Sequence, residues 1–217
     1  MPYTTDSRGY NRLVRDYPGA TRILAEGDSW FAYPRRYIAF GAPSNIVQIL
    51  AERSYYAIYS TASIGDEVAS MMTGEQKFGF TKRLGTKEFD IILFSGGGND
   101  IVGRYDFDLF LKPRQSCAQW QDCIEIERLD NKLDLIESVY VELLERVLYY
   151  SLNPEVKVVS HNYDFCVPSP EGYELFDLFP IGEAWIYPFL MEKQFTNAAE
   201  QQAVIRFMLE RFGERLA

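Results

Sequence analysis

Four short stretches of the sequence hold the residue types that acyl transfer needs. They are Gly27-Asp28-Ser29-Trp30, Ser63-Ile64-Gly65-Asp66, Gly96-Gly97-Gly98-Asn99-Asp100 and His161-Asn162-Tyr163-Asp164. A serine in a tight Gly-Asp-Ser turn presents its hydroxyl while the backbone amides of the turn stay free to face an anion, which suits Ser29 as a nucleophile. An asparagine amide on a glycine-rich turn, here Asn99, suits a donor to the oxyanion that forms when the serine attacks a carbonyl. Gly65 adds a backbone N–H that no side chain obstructs. Taken singly, each piece has a plainer reading: a Gly-Asp-Ser tripeptide is a common turn, Gly65 a turn glycine, and residues 96–98 a flexible loop. Their order along the chain, each behind an apolar run, is what points to chemistry.

Those runs are the elements that must position them. Residues 22–26, 55–60, 89–95 and 156–161 are short and apolar and read as strands. Between them lie segments with helical spacing: Ile46, Val47 and Leu50 after a capping Ser44, then Leu129, Leu133, Ile136, Val139, Leu143 and Val147 after Glu127. A last amphipathic helix, with Asn197 as N-cap, puts Val204, Ile205, Met208, Leu209, Phe212 and Leu216 on one face. Strands that are apolar throughout are covered on both faces. The expected class is therefore α/β, a flavodoxin-like three-layer α/β/α sandwich around a parallel sheet of at least four strands. Ligands of such sheets bind beyond the carboxyl ends of the strands, where all four stretches fall. Residues 112–125 and 165–195 break the rhythm and read as loops over the sheet. The second carries Tyr173, Phe176, Phe179, Trp185, Tyr187 and Phe189, which either line an acyl pocket or pin an irregular segment to the core.

Composition narrows the partners. With 217 residues and 47% hydrophobic residues, one domain spanning the whole chain is expected. The 22 Lys and Arg against 31 Asp and Glu give a net charge of −9, which argues against binding a phosphate backbone. No apolar run approaches a membrane span, and residues 1–11 are polar rather than signal-like, so a cytoplasmic protein without a membrane partner is expected. Cys117, Cys123 and Cys166 are odd in number and lack a Cys-x-x-Cys spacing, so idle or buried thiols are expected, with neither a metal nor any other cofactor.

In these blocks the chain resembles the GDSL or SGNH hydrolase superfamily, whose members cleave esters, lipids and acetylated sugars. Gly27-Asp28-Ser29-Trp30 matches the first block with Trp30 in place of the usual leucine, Gly65 matches the second-block glycine, and Gly97-Gly98-Asn99-Asp100 matches the Gly-x-Asn-Asp block. The resemblance implies an esterase, lipase or acylhydrolase acting on a small-molecule ester. Ser29 would be its nucleophile, and the Ser29 amide, Gly65 and Asn99 its oxyanion hole. The family's last block, Asp-x-x-His on a loop after a fifth strand, has no counterpart in the sequence. From this the chain is expected to be a C-terminally truncated form with poor turnover, whose fourth strand is an edge open to pairing with a second copy. The sole histidine, His161, closes the fourth strand. By the family's strand order it lies two strands from Ser29, about 10 Å away, so a pocket-wall or strand-end role is expected unless it turns inward to act as a substitute base.

Two rival functions use the same stretches. Asp28, Asp100 and Asp164, one beyond each of three strands, could hold magnesium for phosphoryl chemistry, although Arg104 alone stands near them as a cation. Alternatively, a chain without the family's histidine is a pseudo-hydrolase that binds esters or sugars without cleaving them.

Overall fold

The computed structural model describes residues 3–33, 45–53, 55–171, 173–175, 179–182 and 186–217. In chain order the elements begin β1 (Tyr3–Thr4), α1 (Ser7–Asp16), β2 (Thr21–Gly27), α2 (Ser29–Ala32), α3 (Ile46–Glu52), β3 (Tyr56–Ser60), α4 (Val68–Met71), α5 (Gly74–Thr86) and β4 (Ile91–Ser95). They continue with α6 (Arg104–Phe110), α7 (Ile126–Tyr150), β5 (Lys157–Ser160), β6 (Tyr173–Leu175), β7 (Phe179–Gly182), α8 (Tyr187–Glu192) and α9 (Ala198–Leu216). Two compact units share them: residues 1–96 with 138–161, and residues 97–137 with 162–217.

The first unit is the parallel sheet, with strand order β1-β3-β2-β4-β5. The four apolar runs are its four longer strands, and continuous burial explains the inner three: Ile23, Leu24 and Ala25 of β2, for example, are all buried although they alternate between faces. On one face Ile23, Ala25, Ile58 and Leu93 pack with Phe31 of α2 and with Val47 and Ala51 of α3. On the other, the Tyr10 ring of α1 stacks on Tyr59 at 5.5 Å, Arg83 of α5 lies over the same Tyr59 ring, and Tyr140 of α7 meets Phe94 edge-on at 5.1 Å. Each such buried side chain contributes about 1.5–3 kcal/mol, so the two helical layers hold the sheet from both sides. β1, two residues long, is an addition that hydrophobic periodicity is too coarse to detect. β5 is the sheet's far edge, with Val159 about half exposed.

Chain order and strand order diverge at β2, which has β3 on one side and β4 on the other. This is the topological switch point, and its carboxyl end leads into Ser29.

The second unit holds the region read as two loops, and both are more ordered than that reading. Residues 112–125 form two 3₁₀ turns, and Cys117 and Cys123 are joined as a disulfide, with Cα atoms 5.6 Å apart. This corrects the expectation of idle thiols, because the turns fold the six-residue separation back on itself. Cys166 is the free cysteine. Within 165–195 lie the antiparallel pair β6–β7 and helix α8. Phe176 and Trp185 of the aromatic segment lie outside the described residues, as does Ser44; the N-cap of α3 is Asn45, whose side chain accepts from Gln48 N–H at 2.8 Å. α9 starts at Asn197 as expected and buries Val204, Ile205, Met208, Leu209 and Phe212. Arg211–Asp130 and Arg215–Asp134 ion pairs tie it to the first half of α7, and Arg114 grips Glu200 with two hydrogen bonds of 2.8 and 2.9 Å.

Thiol titration of the denatured, non-reduced protein should therefore find one reactive cysteine, rising to three after reduction. Closing so short a loop stabilises by about 2 kcal/mol, which reduction should remove from the unfolding free energy. Three reactive thiols before reduction, in protein prepared without reductant, would refute the pairing.

Candidate active site

The site is assembled from the carboxyl ends of adjacent strands. β2 and β4 run in register with Gly27 opposite Ser95, and a Cβ on Gly27 would lie 2.7 Å from both the Cβ and the carbonyl oxygen of Ser95. Only glycine lets the strands approach so closely here. One residue on, Asp28 donates its N–H to the Ser95 carbonyl at 3.0 Å. Its side chain turns back: Oδ1 accepts the Ser95 hydroxyl at 2.7 Å and the Trp30 N–H at 3.1 Å. The second of these bonds is an N-cap, which starts α2 at Ser29 and fixes the serine on the first turn of a helix directly beyond the strand. Ser29 is nearly buried and Trp30 is 41% exposed.

β3 supplies the other flank. Thr61 N–H donates to Ala25 O at 2.8 Å and Ser63 N–H to Gly27 O at 2.9 Å, which carries the ladder past the strands' ends and fastens the 63–66 turn beside the Gly27-Asp28-Ser29 turn. Gly65, in that turn, has φ +80°, a conformation that L side chains rarely adopt.

His161 does make the inward turn. It follows β5, yet its ring reaches past β4: Nε2 lies 2.8 Å from Ser95 Oγ. The ring also sits 5.7 Å from the Trp30 ring and 5.9 Å from the Phe31 ring, between centroids. A strand-end histidine two strands away thus packs on the two residues that follow Ser29. Ser29, Gly65 and His161 all belong to the first unit; Asn99 lies in the turn after β4, in the second unit, four residues past Ser95.

Two residues of the site are missed by sequence reasoning, and a third, Asp28, is read there only as part of its block and as a magnesium candidate. Ser95 is the partner of Asp28 just described, and the usable signal is a serine closing an otherwise apolar strand. Glu26 is the second. It is buried at the end of β2, accepts the Thr61 hydroxyl at 2.5 Å, and is pushed up to about 7 chiefly by loss of water, with the Thr61 bond and the Arg83 charge opposing. Asp66, in the Gly65 turn, is also raised, first by burial and then by the Asp28 charge, while its bond from Gln76 Nε2 at 3.0 Å opposes the shift. Among the described residues no group of three or more His, Cys, Asp or Glu side chains is placed to hold a metal ion, so the reading of Asp28, Asp100 and Asp164 as a magnesium site gains no geometric support.

Among solved structures the chain is similar to an extracellular lipase from Streptomyces rimosus, at 13% identity over 91% of this chain and 75% of that one, with a TM-score of 0.50. It is also similar to a protein described as a candidate SGNH hydrolase from Slackia heliotrinireducens (10% identity, 90% and 74% of the chains, TM-score 0.42). An acetylxylan esterase from Geobacillus stearothermophilus aligns at 14% identity over 91% and 75% of the chains, with a TM-score of 0.38. No family model and no curated protein sequence matches. The likeness is one of architecture: the chain shares the α/β fold of the Streptomyces rimosus lipase.

Glu26 generates a prediction about stability. Its folded-state value of about 7 lies above the ordinary 4.5, so its contribution is present in full below about pH 4.5 and is lost as pH rises towards 7. Over that window the loss amounts to about 3 kcal/mol. Denaturant titrations of Glu26→Gln should show that stability falling less between pH 5 and pH 8 than in the parent. Parallel curves for the two proteins would contradict the assignment.

Proposed function

We propose that this protein hydrolyses carboxylic esters through an acyl-enzyme on Ser29. The observation that carries the reading is the placement of Ser29. It begins a helix capped by Asp28 at the switch point of the sheet, beside the Gly65 turn and next to the two residues on which His161 packs.

Ser29 Oγ attacks the ester carbonyl carbon as its proton leaves to a base. The carbonyl π pair moves onto oxygen, and the tetrahedral intermediate collapses with expulsion of the alcohol. Water then repeats the attack on the acyl-enzyme and releases the acid and the free serine. Donors to the oxyanion are the N–H groups of Ser29 and Gly65 and the side-chain amide of Asn99, the last assigned from its Gly-x-Asn-Asp block.

A fluorophosphonate should label Ser29, and Ser29→Ala should abolish hydrolysis of an aryl ester. An adduct mapped to another serine, or a Ser29→Ala variant as active as the parent, would overturn the reading. Asn99→Ala should lose on the order of 10²- to 10³-fold in kcat with little change in KM. A change confined to KM would mean that Asn99 holds the ground-state substrate instead.

A further inference from the structure

One flank of α7 changes character halfway along the helix. The buried stripe of α7 runs from Leu129 through Leu133, Ile136, Tyr140 and Leu143 to Val147. One position on from that stripe, Asp130, Asp134 and Glu137 are acidic, and each is paired with Arg211 or Arg215 of α9. In the second half the same flank is apolar and bare: Val141 is 49% exposed, Leu144 50% and Leu148 75%, and Leu152, just past the helix, is 55% exposed. Lys77 of α5 pairs with Glu142 on the opposite flank, so the bare flank looks away from α5, towards the outer edge of the sheet.

That edge is β5. Among the described residues it pairs with β4 alone, Lys157 and Ser160 are exposed, and Val159 is 48% exposed. Lys157 N–H bonds the Asp90 carbonyl at 3.0 Å on the β4 side, so by alternation the N–H and C=O groups of Val158 and Ser160 point outward. The Tyr140 hydroxyl lies 3.1 Å from Ser160 Oγ, which sets α7 and β5 level at that point. Two residues back along β5 and four onward along α7 each cover about 6–7 Å, so Val158 and Leu144 are level too.

We propose that this face pairs two copies of the chain about a two-fold axis, with β5 antiparallel to the β5 of its partner and the bare flanks of α7 packed together. An axis through Val158 lets the outward backbone groups of the two edges bond each other, so that two five-stranded sheets become one. Because Leu144 is level with Val158, the same axis sets Leu144 against its own copy and Val141 against Leu148 of the partner subunit. Lys157 falls opposite Val159 of the partner subunit on the face away from α7, where its stem covers the valine and its ammonium stays in water. The five side chains Val141, Leu144, Leu148, Leu152 and Val159 expose on the order of 500 Å² of apolar surface, and the edge backbone with Glu145, Lys157 and Ser160 brings the face close to the about 800 Å² per partner that a stable dimer buries. A second copy fits because one axis satisfies the strand edge and the helix flank together.

In sedimentation velocity at micromolar concentration the full chain should run as a dimer, at twice the 25.1 kDa of one copy. Leu144→Lys sets two cations face to face on the axis and should weaken association about 100-fold or more, with an unchanged far-ultraviolet circular dichroism spectrum because the position is on the surface. Phe78→Lys, on α5 and 70% exposed, should leave the dimer intact. In a Cys166→Ser background a short bismaleimide should join Leu144→Cys into a covalent dimer and should not join Phe78→Cys. A monomer throughout the micromolar range overturns the proposal, as does a dimer that withstands Leu144→Lys or cross-links equally through Phe78→Cys. If the chain is monomeric and Leu144→Lys weakens only the binding of a different protein, the face belongs to that protein and the proposal falls.

Discussion

The buried carboxylate of Asp28 is the constraint from which the rest of the site follows. A charge held at the end of a central strand, 1% exposed, must be met by donors inside the protein, because leaving one unpaired costs several kcal/mol. The Trp30 N–H and the Ser95 hydroxyl are among the donors that meet it. The first sets the start of α2 and with it the position of Ser29. The second ties β2 to β4 beyond the end of their ladder and, through Ser95 Oγ, draws the ring of His161 across from β5. One side chain therefore governs the helix that Ser29 begins, the junction of two strands and the orientation of the histidine.

The close approach at Gly27 is the condition for that arrangement. Any larger residue would push β2 off Ser95, lengthening the bonds that Asp28 makes there. The adjacent Glu26 has a different environment: it is satisfied by Thr61, beyond β3, and is held towards its neutral form by burial. Two carboxylates two residues apart at one strand end thus have different partners, Asp28 a hydroxyl and an amide on the Ser29 side and Glu26 a threonine beyond β3.

Much of the frame was legible in the residues. The apolar runs around Ile23, Ile58 and Leu93 are strands covered on both faces, the run around Val158 is the edge strand that pairs with β4, and Asn197 caps α9 because its short side chain reaches two N–H groups of the first turn. Ser29, Gly65, Asn99 and His161 all fall just past strand ends, as their positions after those runs required. What was illegible depended on contacts between distant segments. Counting strands places His161 far from Ser29, but cannot show that the chain bends inward after Ser160 so that the ring reaches Ser95. The role of Ser95 depends on its register opposite Gly27, a pairing between segments far apart in the chain. The pairing of Cys117 with Cys123 depends on two 3₁₀ turns that leave no periodic trace. β1 is too short to carry a pattern, and its place beside β3 comes from sheet pairing alone.

The central claim is that Ser29 carries the acyl group. Rapid quenching of the full chain with an activated acetyl ester, followed by peptide mass mapping, tests it directly. The account predicts a single acetylated peptide containing Ser29, formed before the steady state and absent from Ser29→Ala. Turnover of the same ester with no acetylated peptide, or with the acetyl group on another residue, would contradict it.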